Sequence, residues 1–72
     1  MDRERLQALR DAIDSLPPQM RRVLMLRLSF GLKYREIASM MQVSIETVKA
    51  HLHQSQARLK AALAEHFSDF DL

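Results

Sequence analysis

Apolar residues near the start of the chain recur at steps of three and four, the spacing of one face of a helix. These positions are Leu6, Leu9, Ile13 and Leu16. They predict an amphipathic helix over about residues 3–15. Two consecutive prolines, Pro17 and Pro18, follow it. Because proline disfavours the helical conformation of the residue before it, the helix is expected to end there.

The same pattern predicts three more helices. Pro18 suits the first position of a second helix, and Gly31 suits the left-handed residue that closes it. A short third helix is expected over about residues 34–41. Ser44 is a good N-cap for a fourth helix that runs to about residue 66. The apolar positions of these helices are Met20, Val23, Leu24, Leu26 and Leu28, then Ile37, Ala38 and Met41, then Val48, Leu52, Leu59 and Leu63.

No strand signal or internal repeat accompanies these helices. The sequence therefore predicts one all-α, four-helix domain over residues 1–72, with a core of about 3–66 and a frayed acidic tail over 67–72. Only Gln42, Val43 and Ser44 separate the third and fourth helices. This spacing is typical of a helix-turn-helix, in which the second helix is presented to the DNA major groove. It equally fits an ordinary helical hairpin in a small bundle.

A projection of the fourth helix at about 100° per residue separates two faces. The inward face is expected to hold Val48, Leu52, Ser55, Leu59 and Leu63. The outward face is expected to hold Glu46, Lys49, Ala50, His53, Ala57 and Lys60. Small or polar side chains at the N-terminal end of the outward face leave room for close approach to a groove.

Charge is unevenly distributed along the chain, although its formal net value is only +2. Residues 17–60 carry eight basic and two acidic side chains, whereas residues 1–16 carry three and four. A basic centre favours a polyanion-binding face. No apolar stretch approaches the length of a membrane span, and the first residues are too charged for a signal peptide. We therefore expect a soluble, cytoplasmic protein without a membrane partner.

Enzymatic and metal-binding functions find little support in the sequence. A 72-residue chain is too short for a large catalytic cleft, and we see no adjacent nucleophile and base, no glycine-rich phosphate loop and no Cys/His cluster. His51 and His53 point about 200° apart on a helix, so they cannot share an ion unaided. We expect no enzyme, cofactor, metal or small-molecule substrate.

Three segments in order, LPPQMRRVLMLR (16–27), GLKYREIASMM (31–41) and VSIETVKAHL (43–52), resemble the fourth conserved region of the sigma-70 family of bacterial transcription initiation factors. The similarity is greatest to the extracytoplasmic-function group. The LuxR-type output domain shares the EIA and TVKAHL pieces but does not normally begin with Leu-Pro-Pro. The resemblance implies a helix-turn-helix that binds the promoter minus-35 element and docks on the flap of the RNA polymerase beta subunit.

The resemblance also implies functional residues. The DNA-binding candidates are Ser44, Ile45, Glu46, Thr47, Lys49, Ala50, His53, Arg35 and Lys60, with Arg21 or Arg22 as a further backbone anchor. Candidates for contact with the polymerase flap or an anti-sigma factor are Leu6, Leu9 and Phe30. Chemically, Glu46 can accept from a cytosine amino group, and Lys49 can donate to guanine or phosphate.

The chain departs from the family pattern at several positions. Arginines that usually follow the TVK block are replaced at Ala50, His51, Gln54 and Gln56. Gln42 stands where a glycine is common, and Lys33 stands where serine or threonine usually caps a helix. The depleted reading helix implies modest affinity for DNA. It also leaves open a decoy that occupies an anti-sigma factor without binding DNA.

Overall fold

The computed structural model describes residues 3–66, and the predicted tail over 67–72 lies outside them. The described residues form four helices, α1 (Arg3–Asp14), α2 (Pro18–Phe30), α3 (Tyr34–Met41) and α4 (Ile45–His66). The all-α prediction and its element boundaries are thus confirmed. None of these helices is both long and apolar enough to cross a membrane.

Prolines and a glycine define the ends of the first two helices, as the sequence predicts. α2 begins with Pro18 at its first position, and Arg21 Nη1 donates a hydrogen bond to the Asp14 carbonyl at 2.9 Å, which joins the start of α2 to the end of α1. Gly31 adopts the left-handed conformation with φ 64°. Its amide donates to the Arg27 carbonyl at 3.0 Å and closes α2.

The turn between α3 and α4 is closed by backbone bonds around a left-handed glutamine. Gln42 has φ 58°, its amide donates to the Ser39 carbonyl at 3.3 Å, and the Val43 amide donates to the Ala38 carbonyl at 3.0 Å. This pair of bonds is the Schellman arrangement, which usually places glycine at the left-handed residue. Gln42 therefore adopts a backbone conformation that favours glycine. This agrees with the sequence comparison above, in which Gln42 stands where a glycine is common.

The longest helix, α4, packs against each of the other three helices. The buried core contains Leu16, Met20, Val23, Leu24, Ile37, Ala38, Val48 and Leu52. Ile37 and Val48 are completely buried, and Val43 is partly buried against the same core. This packing fixes the angle between α3 and α4, so the direction in which α4 presents its outer face is set by the core.

The buried face of α1 differs from the face that the spacing of its larger apolar residues predicts. α1 packs mainly on α4 and buries Ala8 and Ala12, whereas Leu6 is 40% exposed and Leu9 is half-buried. Because alanine has only a methyl side chain, a face of this kind lets two helix axes approach closely. Leucines around the same face then lie at the edge of the contact, where solvent reaches them.

Candidate nucleic-acid interface

The N-terminal end of α4 is capped by side chains. The Thr47 amide donates to Ser44 Oγ at 3.0 Å, and the Ser44 hydroxyl donates to Thr47 Oγ1 at 3.0 Å. Ser44 is therefore the N-cap that the sequence predicts. Because both hydroxyls take part in the cap, Ser44 and Thr47 have a structural task that accounts for their presence without a nucleic acid. Their contact with DNA stays a prediction.

The predicted reading face of α4 is exposed to solvent. Beyond the cap, Ile45 is 38% exposed, and the side chains that follow it on this face are exposed as well. They are Glu46, Lys49, Ala50, His53, Ala57 and Lys60. No described helix covers this side of α4. It therefore meets the steric requirement for lying in a groove.

The opposite side of α4 is buried, as the projection predicts. Val48, Leu52 and Ser55 are at most 5% exposed, and Leu59 and Leu63 are half-buried. The hydroxyl of Ser55 has no access to solvent, and it donates to the His51 carbonyl one turn earlier at 2.7 Å. A polar residue is thus accommodated on the apolar stripe by bonding to its own helix.

His51 and His53 of α4 diverge, as expected for residues two apart. His53 is exposed on the reading face, whereas His51 is half-buried, with a buried Nδ1 that makes no hydrogen bond within residues 3–66. Among the described residues, no group of three or more acidic, histidine or cysteine side chains could hold a metal ion. Of the two histidines, only His53 is placed where it could meet a groove.

Basic side chains near α4 fall into two groups. Arg35 on α3, Arg22 on α2 and Lys60 on α4 have exposed side chains. Arg21 and Arg27, in contrast, donate to backbone carbonyls of their own chain, at Asp14 and Leu32 respectively. Of the two candidate anchors on α2, Arg22 is therefore better placed than Arg21 to reach a phosphate.

Several large apolar side chains of α1 and α2 are also exposed. Phe30 is 72% exposed and Leu6 is 40% exposed, and both were predicted to contact a protein partner, whereas the third candidate, Leu9, is half-buried. Sequence reasoning missed Leu28, which is 65% exposed. Because Leu28 stands four residues after the buried Leu24, periodicity alone gives no sign that it would be exposed. Phe30 and Leu6 are thus accessible for the predicted protein contact, which stays a prediction.

Comparisons with known proteins agree with this geometry. The family model for sigma-70, region 4, matches residues 6–59, which include all of α2 and α3 and most of α4.

The chain belongs to the sigma-70 region 4 family.

Among curated proteins, this region 4 chain is 38% identical over 61 residues to the ECF RNA polymerase sigma factor SigE of Mycolicibacterium smegmatis. The aligned part covers 85% of the chain and 24% of that relative, so the chain spans about a quarter of the length of the curated protein it matches. No solved structure matches it. The match to region 4 favours the sigma resemblance over the LuxR-type one.

Proposed function

We propose that the chain is the promoter-recognition domain of a transcription initiation factor, which binds the minus-35 element through α4. The observation that carries this proposal is the exposed, small and polar face of α4, held outward by a core on the opposite side of the same helix. Membership of the sigma-70 region 4 family supports it. Such a domain acts without cofactor or catalysis, in the cytoplasm where its polymerase is found.

The side chains on the reading face have distinct roles in this proposal. Glu46 and Lys49 contact base edges, since a carboxylate accepts from cytosine and an ammonium donates to guanine. Ile45 and Ala50 offer apolar contact to thymine methyl groups. Arg35 on α3 and Lys60 on α4 contact phosphates on either side of the groove and fix the register of the helix.

In this proposal the same domain docks on RNA polymerase through exposed apolar side chains of α1 and α2. Phe30 and Leu6 supply large apolar side chains on α2 and α1, and Leu9 contributes its exposed part. Three of the four acidic residues within 1–16 lie in the described part of α1, which makes that helix more suited to protein than to phosphate. The flap of the polymerase beta subunit is the proposed partner.

A titration with promoter duplexes tests the DNA-binding role. Duplexes with varied upstream hexamers are titrated at two salt concentrations with the wild type, Lys49→Ala and Arg35→Ala. We expect Lys49→Ala to relax sequence preference, because it removes a base contact. We expect Arg35→Ala to weaken all duplexes about fivefold at 0.15 M salt and to lower the salt slope by about 0.9, the effect of one phosphate contact.

A matched control comes from α1. Arg10 is exposed there, and Arg10→Ala removes the same charge from a helix outside the proposed interface. We expect its affinity to remain within about twofold of the wild type, because Arg10 makes no contact in the proposed interface and exposed charges at a distance are screened by salt. Equal losses in Arg10→Ala and Arg35→Ala would show that net charge, rather than a specific surface, governs binding.

A second candidate function is a sigma-like decoy that binds an anti-sigma factor without reading DNA. It is favoured by the single basic side chain, Lys49, in the first half of α4, and by the internal hydrogen bonds of Arg21 and Arg27. An anti-sigma factor would then cover the exposed apolar residues. Negligible binding of every duplex by the wild type, with retained partner binding, would establish the decoy function in place of the first proposal.

A further inference from the structure

Arg27 links the end of α2 to the start of α3 through two contacts of one guanidinium group. Its Nη1 atom donates to the Leu32 carbonyl at 2.8 Å, and its Cζ atom lies 5.0 Å from the centroid of the Tyr34 ring. Leu32 lies in the two-residue segment that follows Gly31, and Tyr34 is the first residue of α3. The guanidinium therefore spans the whole corner between the helices.

Such a link is useful at this corner because α3 is weakly capped by its own residues. Lys33 is the N-cap residue, and a lysine side chain has no acceptor for the exposed amides of the first turn. Only one half of a capping box is present, in which the Lys33 amide donates to Glu36 Oε1 at 2.7 Å. External contacts at Leu32 and Tyr34 thus add restraint where the helix start is least well held.

The two contacts also fix the orientation of the guanidinium. A guanidinium that donates to a carbonyl and also lies over an aromatic ring uses properties in which arginine differs from lysine, namely several fixed N–H donors and a delocalised charge. Moving Arg27 to a phosphate would break both contacts. Arg35, one residue after Tyr34, is exposed and shares the first turn of α3.

We propose that Arg27 is a positioning residue that holds the first turn of α3, and with it Arg35, in the place from which Arg35 contacts a DNA phosphate. This inference rests on the proposed DNA-binding function. It assigns Arg27 a role that differs from direct phosphate binding.

A double-mutant cycle separates these roles. We expect Arg27→Met to weaken duplex binding about threefold, the order of an exposed cation–π contact, with an unchanged salt slope. In an Arg35→Ala background the same substitution should change affinity by less than about 1.5-fold, because the contact that Arg27 positions is already gone. Losses that multiply, or a salt slope lowered by about 0.9 in Arg27→Met alone, would show that Arg27 binds phosphate itself and would overturn the proposal.

Two conservative variants test the chemistry of the link. Tyr34→Phe keeps the aromatic ring and should bind DNA like the wild type, whereas Tyr34→Ala should reproduce the loss seen in Arg27→Met. Arg27→Lys keeps the charge but loses the planar fork, so it should not restore full affinity. Full restoration by lysine would show that charge alone matters and would overturn the proposal.

Amide hydrogen exchange tests the restraint without any DNA. The Ile37 amide donates to the Lys33 carbonyl at 3.0 Å in the first turn of α3, and the Val48 amide donates to the Ser44 carbonyl at 3.1 Å in the first turn of α4. Arg27→Met should speed exchange at Ile37 about threefold and leave Val48 unchanged. Equal change at both amides would indicate general destabilisation and refute the positioning role. If the wild type binds no duplex but Ile37 behaves as expected, the proposed function fails while the restraint stands.

Discussion

Replacing Gln42 by glycine should stabilise the domain, although it removes a side chain. Gln42 has φ 58° and ψ 48°, a left-handed conformation that costs a residue with a β-carbon about 1–2 kcal/mol. Glycine removes this cost, but its greater freedom in the unfolded chain costs about 0.5–1 kcal/mol. The net effect expected for Gln42→Gly is a gain of about 0.5–1 kcal/mol in the free energy of unfolding.

Gly31 provides the reciprocal experiment on the same chain. It has φ 64°, and a β-carbon added there would meet no atom within 4 Å. Gly31→Ala therefore introduces the left-handed strain without a steric clash, and it should lower the free energy of unfolding by a similar amount, about 0.5–1 kcal/mol. Because the two substitutions should change the free energy of unfolding in opposite directions, together they separate the effect of backbone conformation from changes in packing.

Thermal unfolding followed by circular dichroism measures both variants. For a chain of this size, the expected shifts in Tm are roughly 3–6 °C, upward for Gln42→Gly and downward for Gly31→Ala. Gln42→Ala is the control, because it shortens the side chain but keeps the β-carbon, and its Tm should lie close to that of the wild type. A lower Tm in Gln42→Gly, or an unchanged Tm in Gly31→Ala, would refute the argument from backbone conformation.

Substitutions at three other positions test a helix end and the core by the same measurement. Lys33→Ser should raise the free energy of unfolding by about 0.5–1 kcal/mol, since a hydroxyl would complete the capping box with Glu36; an unchanged Tm would contradict this. Ser55→Leu should lower the free energy of unfolding by about 1–3 kcal/mol, because the larger side chain overpacks the buried site. Ser55→Ala should change it by no more than about 0.5 kcal/mol. Similar losses in both variants would show that the lost hydroxyl, and not the added volume, destabilises the protein. Ile37→Ala should cost about 2–4 kcal/mol, so a small loss would mean that the core collapses around the missing atoms.

The helix boundaries could be predicted because their causes are local. Pro18 and Gly31 restrict or permit particular backbone angles wherever they occur, and Ser44 can cap only a helix that begins directly after it. The exposed face of α4 was predictable for a related reason. Once Val48 and Leu52 are placed inward, the angle between successive residues fixes where Lys49 and His53 must lie.

Other features depend on which helices pack against each other, and a single sequence does not show this directly. The burial of Ala8 and Ala12 follows from the close approach of α1 to α4, whereas apolar spacing gives the larger leucines of α1 more weight. Similarly, nothing local distinguishes Arg22, whose side chain is exposed, from Arg21, which donates to the end of α1. Which basic side chains bond within the fold therefore depends on tertiary contacts that the sequence does not show.

One 22-residue segment, α4, carries both the centre of the core and the proposed reading surface. Under the proposed function, residues that stabilise the fold and residues that select a promoter would therefore alternate along the same stretch. Val48, for example, is completely buried, whereas the adjacent Lys49 is exposed. If α4 reads the promoter as proposed, exchanging Glu46, Lys49, Ala50 and His53 would change promoter preference and leave the interior intact, because all four side chains are exposed.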